Sequence, residues 1–397
     1  MISADDLFLK YICCHLYYRL IIANKFVLCY INLQYHVTIE ICAGVDQTSR
    51  RRAGGRIMEK DKFSNQVRWY NFILCILVVL IHTNNTDIFI GQAPAVNAIE
   101  SFLTDQVART ANAGFFLCSG YLFYRNFSMD RLADKWKRRL FSTVLPFAVW
   151  NLFYYFIRLA AAKIAGPLGA FRQEAVWSFS ELFQAVVLYK YNTIFWFLQF
   201  LIVYIYVCPL IYLLIRNRYI GFAVLLGVLL LAGSGCLYGF GSTCASMVNW
   251  LFLYMAGGYL GLHGKRRVET QAGSPGVLLF TVLGSVTSHL FFRACPELTG
   301  QLLYYLFDAM LLWNVLSYRK LPEARWWMKD TFYIYAVHFL IVRAGNKLVY
   351  ACLGNALGAG LWMFLLLPVS VVVFCAYSGR FLKRYTPFFW KVISGNR

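Results

Sequence analysis

Charge is scarce in this chain. Only 14% of its 397 residues are Asp, Glu, Lys or Arg, against 60% apolar, whereas a soluble globular domain carries roughly a quarter charged side chains. That shortage excludes an ordinary soluble domain. Strand-length stretches alternating apolar and polar residues are also missing, which excludes a membrane β-barrel. Cysteine pairs with metal-ligand spacing are absent too. Cys75, Cys118, Cys208, Cys236, Cys244, Cys295, Cys352 and Cys375 stand singly, as small buried hydrophobes do, and no metal is expected. A Cys236–Cys244 disulfide in a short outer loop stays open.

What is present is a series of long apolar runs, near residues 70–89, 108–124, 140–160, 194–215, 219–238, 246–263, 275–293, 299–317, 331–351 and 358–378. Most approach the roughly 20 residues that a helix needs to cross a bilayer. The expected fold is all-α, a polytopic membrane helical bundle of about ten transmembrane helices. Pro146, Pro209 and Pro368 fall inside or beside spans, where a bundle tolerates them. The many aromatic side chains, 27 Tyr, 34 Phe and 11 Trp, suit helices that end in interfacial rings.

The charges orient the bundle. Arg125, Arg131, Lys135, Lys137, Arg138 and Arg139 fill the gap after the second run. Alternate later gaps hold Arg216 and Arg218, then Lys265, Arg266 and Arg267, then Arg319, Lys320, Arg325 and Lys329. The intervening gaps carry little beyond Lys163, Arg172, Lys190 and Arg293. By the positive-inside rule both termini of the bundle are expected in the cytoplasm, and the chain in the inner (plasma) membrane with the lipid bilayer as its partner. The formal charge of +20 is then mainly a topology signal. A nucleic acid partner, which wants a basic face on a soluble module, is not expected.

Residues 1–57 break the pattern. They lack the order of charge, apolar core and small-residue cleavage site that marks a signal peptide. Ala53-Gly54-Gly55-Arg56 stands just ahead of Met58, and its codons can spell a purine-rich ribosome-recruiting tract. Met58 is therefore expected as the true start, with 58–397 forming one integral membrane domain. The alternative is an amphipathic extension on the cytoplasmic face.

Ionisable groups inside spans are expensive, so they face the bundle interior or a wet cavity. Here they are His82, Arg109, Arg158, His289, Asp308, His338 and Arg343. For His289 and His338 interhelical hydrogen bonding is the plainer reading. His82 is different. At about 100° per residue, Asn71 returns to within roughly 20° of its face and Arg68 to within about 40°. One polar stripe thus climbs the first span and suits a substrate path. In QVARTANAGFFLCSGYLFYRNF, Arg109 marks the outer end of the second span, Asn112 lies one turn on and Ser119-Gly120 deeper. Ala111, Ala113 and Gly114 are small enough to let another helix approach.

These segments together resemble a known family. LVVLIHTN, ARTANAGFFLCSGYLFYRN, the basic loop into KWKRRLFSTVLPFAVWNLFYY, IFWFLQFLIVYIYVCPLIYLL and DTFYIYAVHFLIV, in this order, resemble acyltransferase family three, the integral membrane O-acyltransferases. The resemblance runs from about Met58 to the last span. It implies a ten-helix bundle that moves an acyl group, usually acetyl, from cytoplasmic acyl-CoA to a hydroxyl of an envelope saccharide or lipid-linked sugar. His82 matches the family's first-span histidine and Arg109 its second-span arginine, which makes these two the catalytic candidates. Arg68, Asn71, Asn112 and Ser119 are the substrate-binding candidates. Two departures stand out: Asn71 occupies the place of an arginine, and Ala113-Gly114 stand where a proline is often found before the paired phenylalanines. Arg68, one turn below Asn71, is the candidate to supply the missing charge.

The chemistry suits these side chains. A sugar hydroxyl needs a base, and histidine, with an ordinary pKa of about 6.5, is the natural one. An oxyanion on the thioester carbonyl needs a donor such as Arg109, and the CoA phosphates need the Lys and Arg of the inner loops. A carrier or flippase for a saccharide lipid is the competing reading. Secondary carriers often show inverted repeats, and neither the His82 nor the Arg109 segment has a second copy in the latter half. The gap near 161–193, with Trp177, Phe179 and Phe183, reads as an interfacial belt or as a surface that presents a sugar ring.

Overall fold

The structure, a computed structural model, describes residues 59–165, 175–318 and 321–395. The expectations for residues 1–57 and for the start at Met58 lie outside the described residues. Among those described there are helices and no strands. In chain order they are α1 Glu59–Thr83, α2 Pro94–Ser101, α3 Thr110–Tyr124, α4 Leu132–Arg139, α5 Leu145–Ala165, α6 Phe179–Val187, α7 Trp196–Tyr206 and α8 Cys208–Ile215. Then follow α9 Arg218–Gly233, α10 Ser242–His263, α11 Lys265–Glu269, α12 Pro275–Ala294, α13 Leu298–Tyr318, α14 Thr331–Leu353, α15 Ala359–Tyr385 and α16 Pro387–Ser394. Every apolar run of the sequence falls on helix along most of its length. Among the described residues five stretches are long and apolar enough to cross a membrane: Lys62–Thr83, Met129–Ala161, Pro275–Ala294, Thr331–Leu353 and Ala359–Tyr385. A sixth appears if α7 and α8, bent by 68° at their junction, count as one span.

Local sequence explains the boundaries. Proline stands in the first turn of α2, α8, α12 and α16, where its missing N–H costs nothing. Pro209 thus starts α8 and accompanies the bend after α7. The side chain of Asn217 caps α9 by accepting from the N–H groups of Tyr219 and Ile220 at 2.9 and 3.1 Å, as polar N-caps do. Two π-helical stretches interrupt the regular pattern, Phe102–Ala108 before α3 and Leu140–Val144 before α5. Such stretches mark strained or functional positions. Arg109 is the residue at the junction of the first with α3.

The chain forms two compact units. The first joins the described part of Met1–Gly114 to Gln271–Ala376. Its centre is α1, 72% of whose apolar window is buried, against 17% for α12. Phe72 through Leu80 are all buried. Tyr70 donates to the Ala309 carbonyl of α13 at 3.0 Å, and Trp69 and Asn65 donate to the Pro322 carbonyl at 2.8 and 2.9 Å. A Cβ added at Gly114 would fall 2.6 Å from a Leu74 methyl, so the small residues of the second run do admit α1, as expected. α12 and α13 form a helical hairpin.

The second unit joins Phe115–Thr270 to Tyr377–Arg397, as far as it is described. Between helices in lipid there is no hydrophobic drive, so close backbone approach and hydrogen bonds hold them together. α3 and α10 show this directly: a Cβ at Gly120 would meet the Tyr254 carbonyl oxygen at 2.0 Å, and one at Gly257 the Leu117 oxygen at 2.0 Å. α16 is tied to α5 by the Trp150 indole, which donates to the Ile393 carbonyl at 2.9 Å.

Candidate active site

α1 carries the polar stripe unevenly. Arg68 is exposed, Asn71 and His82 are half-buried, and everything from Phe72 to Leu80 between them is enclosed by packed side chains. Asn71 and His82 are separated by about 16 Å of helix. The stripe therefore surfaces at the two ends of the segment and is covered along the middle.

At the far end His82 meets α14. Its ring lies 5.1 Å from that of His338 and 5.4 Å from that of Phe339, the second edge-on. Nδ1 of His338 sits 2.7 Å from the Tyr335 carbonyl. A carbonyl only accepts, so Nδ1 carries the proton and Nε2 of the neutral ring is the bare nitrogen. Nε2 is buried and has no hydrogen-bond partner among the described residues. Arg343, one turn further along α14, is near enough for its charge to act on His82. Its Nη1 pairs with Asp87 at 2.8 Å. A histidine pair with a flanking cation thus forms around the end of α1.

Arg109 is engaged elsewhere. Its Nε and Nη2 both reach Oδ1 of Asp105, at 3.0 and 2.9 Å, and its side chain is 53% exposed. Its charge also acts on Tyr304 and Tyr305 of α13. Asn112 is half-exposed, one turn beyond, with its amide N–H donated to the Arg109 carbonyl at 3.2 Å. Ser119 is half-buried immediately before Gly120 and its close helix crossing.

His289 takes the plainer role that sequence suggested. Its Nε2 pairs with Asp308 at 2.9 Å, Ser285 donates to the other carboxylate oxygen at 2.5 Å, and Tyr304 stacks on the ring at 4.5 Å. This cross-links α12 and α13. Cys236 and Cys244 are both free thiols, so the short-loop disulfide is not formed. The pair His338 and Arg343 was visible in the sequence only as in-span ionisable groups. Their approach to His82 had no signal, because some 250 residues separate them.

In the second unit a cavity of about 590 Å³ is lined by Leu122, Phe123, Phe141, Ser142 and Gly395 with Lys135, Lys137, Arg138 and Arg139, with no acidic residue among the described ones. Lys135 donates to the Phe123 carbonyl at 2.8 Å and lies 4.8 Å over the Phe123 ring, a geometry that holds an ammonium beside an apolar wall. The segment around α6 has Trp177 and Phe179 strongly exposed. Glu181 there accepts from Lys190 and Tyr191, and these hydrogen bonds hold its carboxyl below the usual range.

A family model described as an acyltransferase domain, acyltransferase family 3, matches residues 67–380. No curated protein and no solved structure gives a significant match.

Proposed function

We propose, from the premise that this chain belongs to acyltransferase family 3, a membrane acyltransferase family, that it transfers an acyl group, acetyl in the first instance, from acyl-CoA to a hydroxyl of an envelope saccharide or lipid-linked sugar. The observation that carries this reading is the His82–His338 pair, 5.1 Å apart with Arg343 beside it, at the end of the most enclosed helix of its unit. In the proposed reaction His82 takes the proton of the acceptor hydroxyl while its oxygen attacks the thioester carbonyl. The C–S bond breaks as the ester C–O bond forms, and the departing CoA sulfur receives the proton. General base catalysis of this kind is typically worth about 100-fold or more.

Arg109, the match to the family's second-span arginine and paired with Asp105 in the resting chain, is the candidate for the developing oxyanion, where a guanidinium released from that pair offers two directed donors. The cavity of Lys135, Lys137, Arg138 and Arg139 supports an acyl-CoA donor, because its four cations suit CoA phosphates and its phenylalanines suit the adenine. The positive-inside rule applied to the basic gaps supports a cytoplasmic position for this loop and for both termini of a bundle of about ten helices in the plasma membrane, the side where acyl-CoA is found.

The test is transfer of radiolabelled acetyl from acetyl-CoA by purified protein in lipid nanodiscs to envelope saccharide that mild alkali has stripped of esters. Wild type is expected to esterify the saccharide and His82→Ala to lose the reaction while staying folded. A His82→Ala turnover at a tenth of wild type or better removes His82 from the base role. Absence of both transfer and acetyl-CoA hydrolysis in wild type would favour a carrier.

A further inference from the structure

The cavity of Lys135, Lys137, Arg138 and Arg139 is built mostly from neighbouring pieces of chain. Leu122 and Phe123 come from the end of α3, the cations from α4, and Phe141 and Ser142 from the π-helical stretch that follows. One lining residue is an outsider. Gly395 follows α16 and reaches the cavity from the far end of the described chain.

Sequence explains how α16 ends there. Pro387 stands in its first turn, and Gly395 terminates it in the left-handed region at φ 68°, which glycine enters without steric cost. The helix has two unlike faces. Trp390, Ile393 and Ser394 are buried, whereas Phe388, Phe389 and Lys391 are exposed. Two contacts hold the buried face in place: the Trp150 indole of α5 donates to the Ile393 carbonyl at 2.9 Å, across 243 positions of sequence, and the Lys383 ammonium lies 4.8 Å over the Trp390 ring. Gly395 itself is pressed against the cavity's own backbone. A Cβ there would stand 2.4 Å from the Ser142 carbonyl oxygen and 3.1 Å from Cγ of Pro146, so any side chain drives α16 off Ser142.

What α16 brings to the cavity is shape and not charge. The last carbonyls of a helix carry partial negative charge, which does not attract a phosphate, and Lys391 is not among the lining residues. The four cations all come from α4. Lys and Arg charges open to water are screened by it and by salt, and a further wall that encloses the ligand reduces that screening. The volume suits enclosure. About 590 Å³ falls within the roughly 300–1,000 Å³ of sites that bury most of a small molecule's surface.

We propose that α16, docked through Trp150 and ending at Gly395, is a wall of the donor site, and that docking of this helix sets the affinity for CoA; the proposal rests on the acyl-donor reading of the cavity above. Gly395 borders the cavity itself. Trp150 acts through α16, as a positioning residue.

The test uses the full chain in lipid nanodiscs and measures CoA binding by isothermal titration, together with the KM for acetyl-CoA and for alkali-stripped envelope saccharide. Trp150→Phe removes the N–H that holds Ile393 and keeps an aromatic ring, and Gly395→Ala sets a methyl against Ser142. Each is expected to weaken CoA binding and raise the KM for acetyl-CoA about fivefold or more, as loss of preorganisation does, with the saccharide KM within about twofold. Lys391→Gln, on the exposed face of the same helix, is expected to bind CoA as wild type does. Should Trp150→Phe fail to fold, Gly395→Ala decides alone. An unchanged CoA affinity in a folded variant overturns the proposal, as does an equal rise in the saccharide KM. A loss in Lys391→Gln that matches theirs also overturns it, because charge on α16 would then be what counts. A wild type that binds no CoA overturns the donor reading of the cavity, and this proposal with it.

Discussion

One methyl group at position 120 separates packing from chemistry in α3. An alanine Cβ there would stand 2.0 Å from the Tyr254 carbonyl oxygen and 3.0 Å from the Gly258 nitrogen, whereas ordinary Cβ contacts begin near 3.4 Å. Both neighbours are helix backbone, which cannot swing aside as a long side chain can. α10 must therefore withdraw from α3 by more than an ångström at this level, and the neighbouring crossing, Gly257 against the Leu117 carbonyl, must open with it. Overpacking typically costs about 1–3 kcal/mol, and a backbone-to-backbone clash belongs at the upper end. About 3 kcal/mol lowers the folded-to-unfolded ratio by roughly 100-fold. Fluorescence-detected size exclusion after graded heating in detergent reads this as a clear fall in the apparent midpoint. Ser119→Ala, one residue earlier, is the paired control. It should keep its midpoint and its kcat for acetyl transfer, a substrate-binding role showing only in KM, whereas loss of a nucleophile would cost several orders of magnitude in rate. A Gly120→Ala variant as heat-resistant as wild type would refute the close crossing. A Ser119→Ala variant with no turnover would refute the packing role and make the hydroxyl chemical.

Arg109→Lys is expected to lose nearly as much transfer as Arg109→Ala, because an ammonium cannot present the paired nitrogens that both reach Asp105 Oδ1 or a two-pronged contact to substrate; full rescue by lysine would show that charge alone matters. Arg68→Ala should raise the KM for acetyl-CoA and leave that for saccharide nearly unchanged, and Asn71→Arg should restore it. A loss of inserted protein with unaltered donor kinetics would make Arg68 only a snorkelling anchor. Burial pushes the Glu100 carboxyl above its ordinary 4.5. The folded chain then holds this proton to higher pH than the unfolded chain does, so stability is highest below about 4.5 and falls as pH rises through the raised value. Glu100→Gln should flatten that slope in heat-unfolding midpoints measured across pH, and an unchanged slope would assign it to another group.

Asn71 and His82 show how far helical arithmetic reaches. The 11-residue spacing correctly places both on one helix, at the two ends where side chains emerge. It gave no warning that Phe72 to Leu80 would be enclosed on every face, since burial depends on neighbours that the spacing does not contain. The small residues before Phe115 were legible as a site of close approach because glycine and alanine admit a neighbour whatever it is. That the neighbour is Leu74 of α1 was not legible. Arg109 was recognisable as the outer end of the second span, and its pairing with Asp105 joins two residues four apart, a spacing that a helix brings together.

Composition and periodicity alone determined that this chain is helical and apolar enough to enter a membrane, because hydropathy and the absence of alternating strands are local properties of the chain. Motif order pointed to the acyltransferase family and to His82, since a family signature is itself a pattern along the sequence. Tertiary structure decided which polar groups share a space: His338 and Arg343 beside His82, Asn346 and Gly360 around Asn85, and Asp308 on His289. Two of those three associations join residues more than 250 positions apart, and such a contact follows from how helices pack, which no short stretch of sequence encodes.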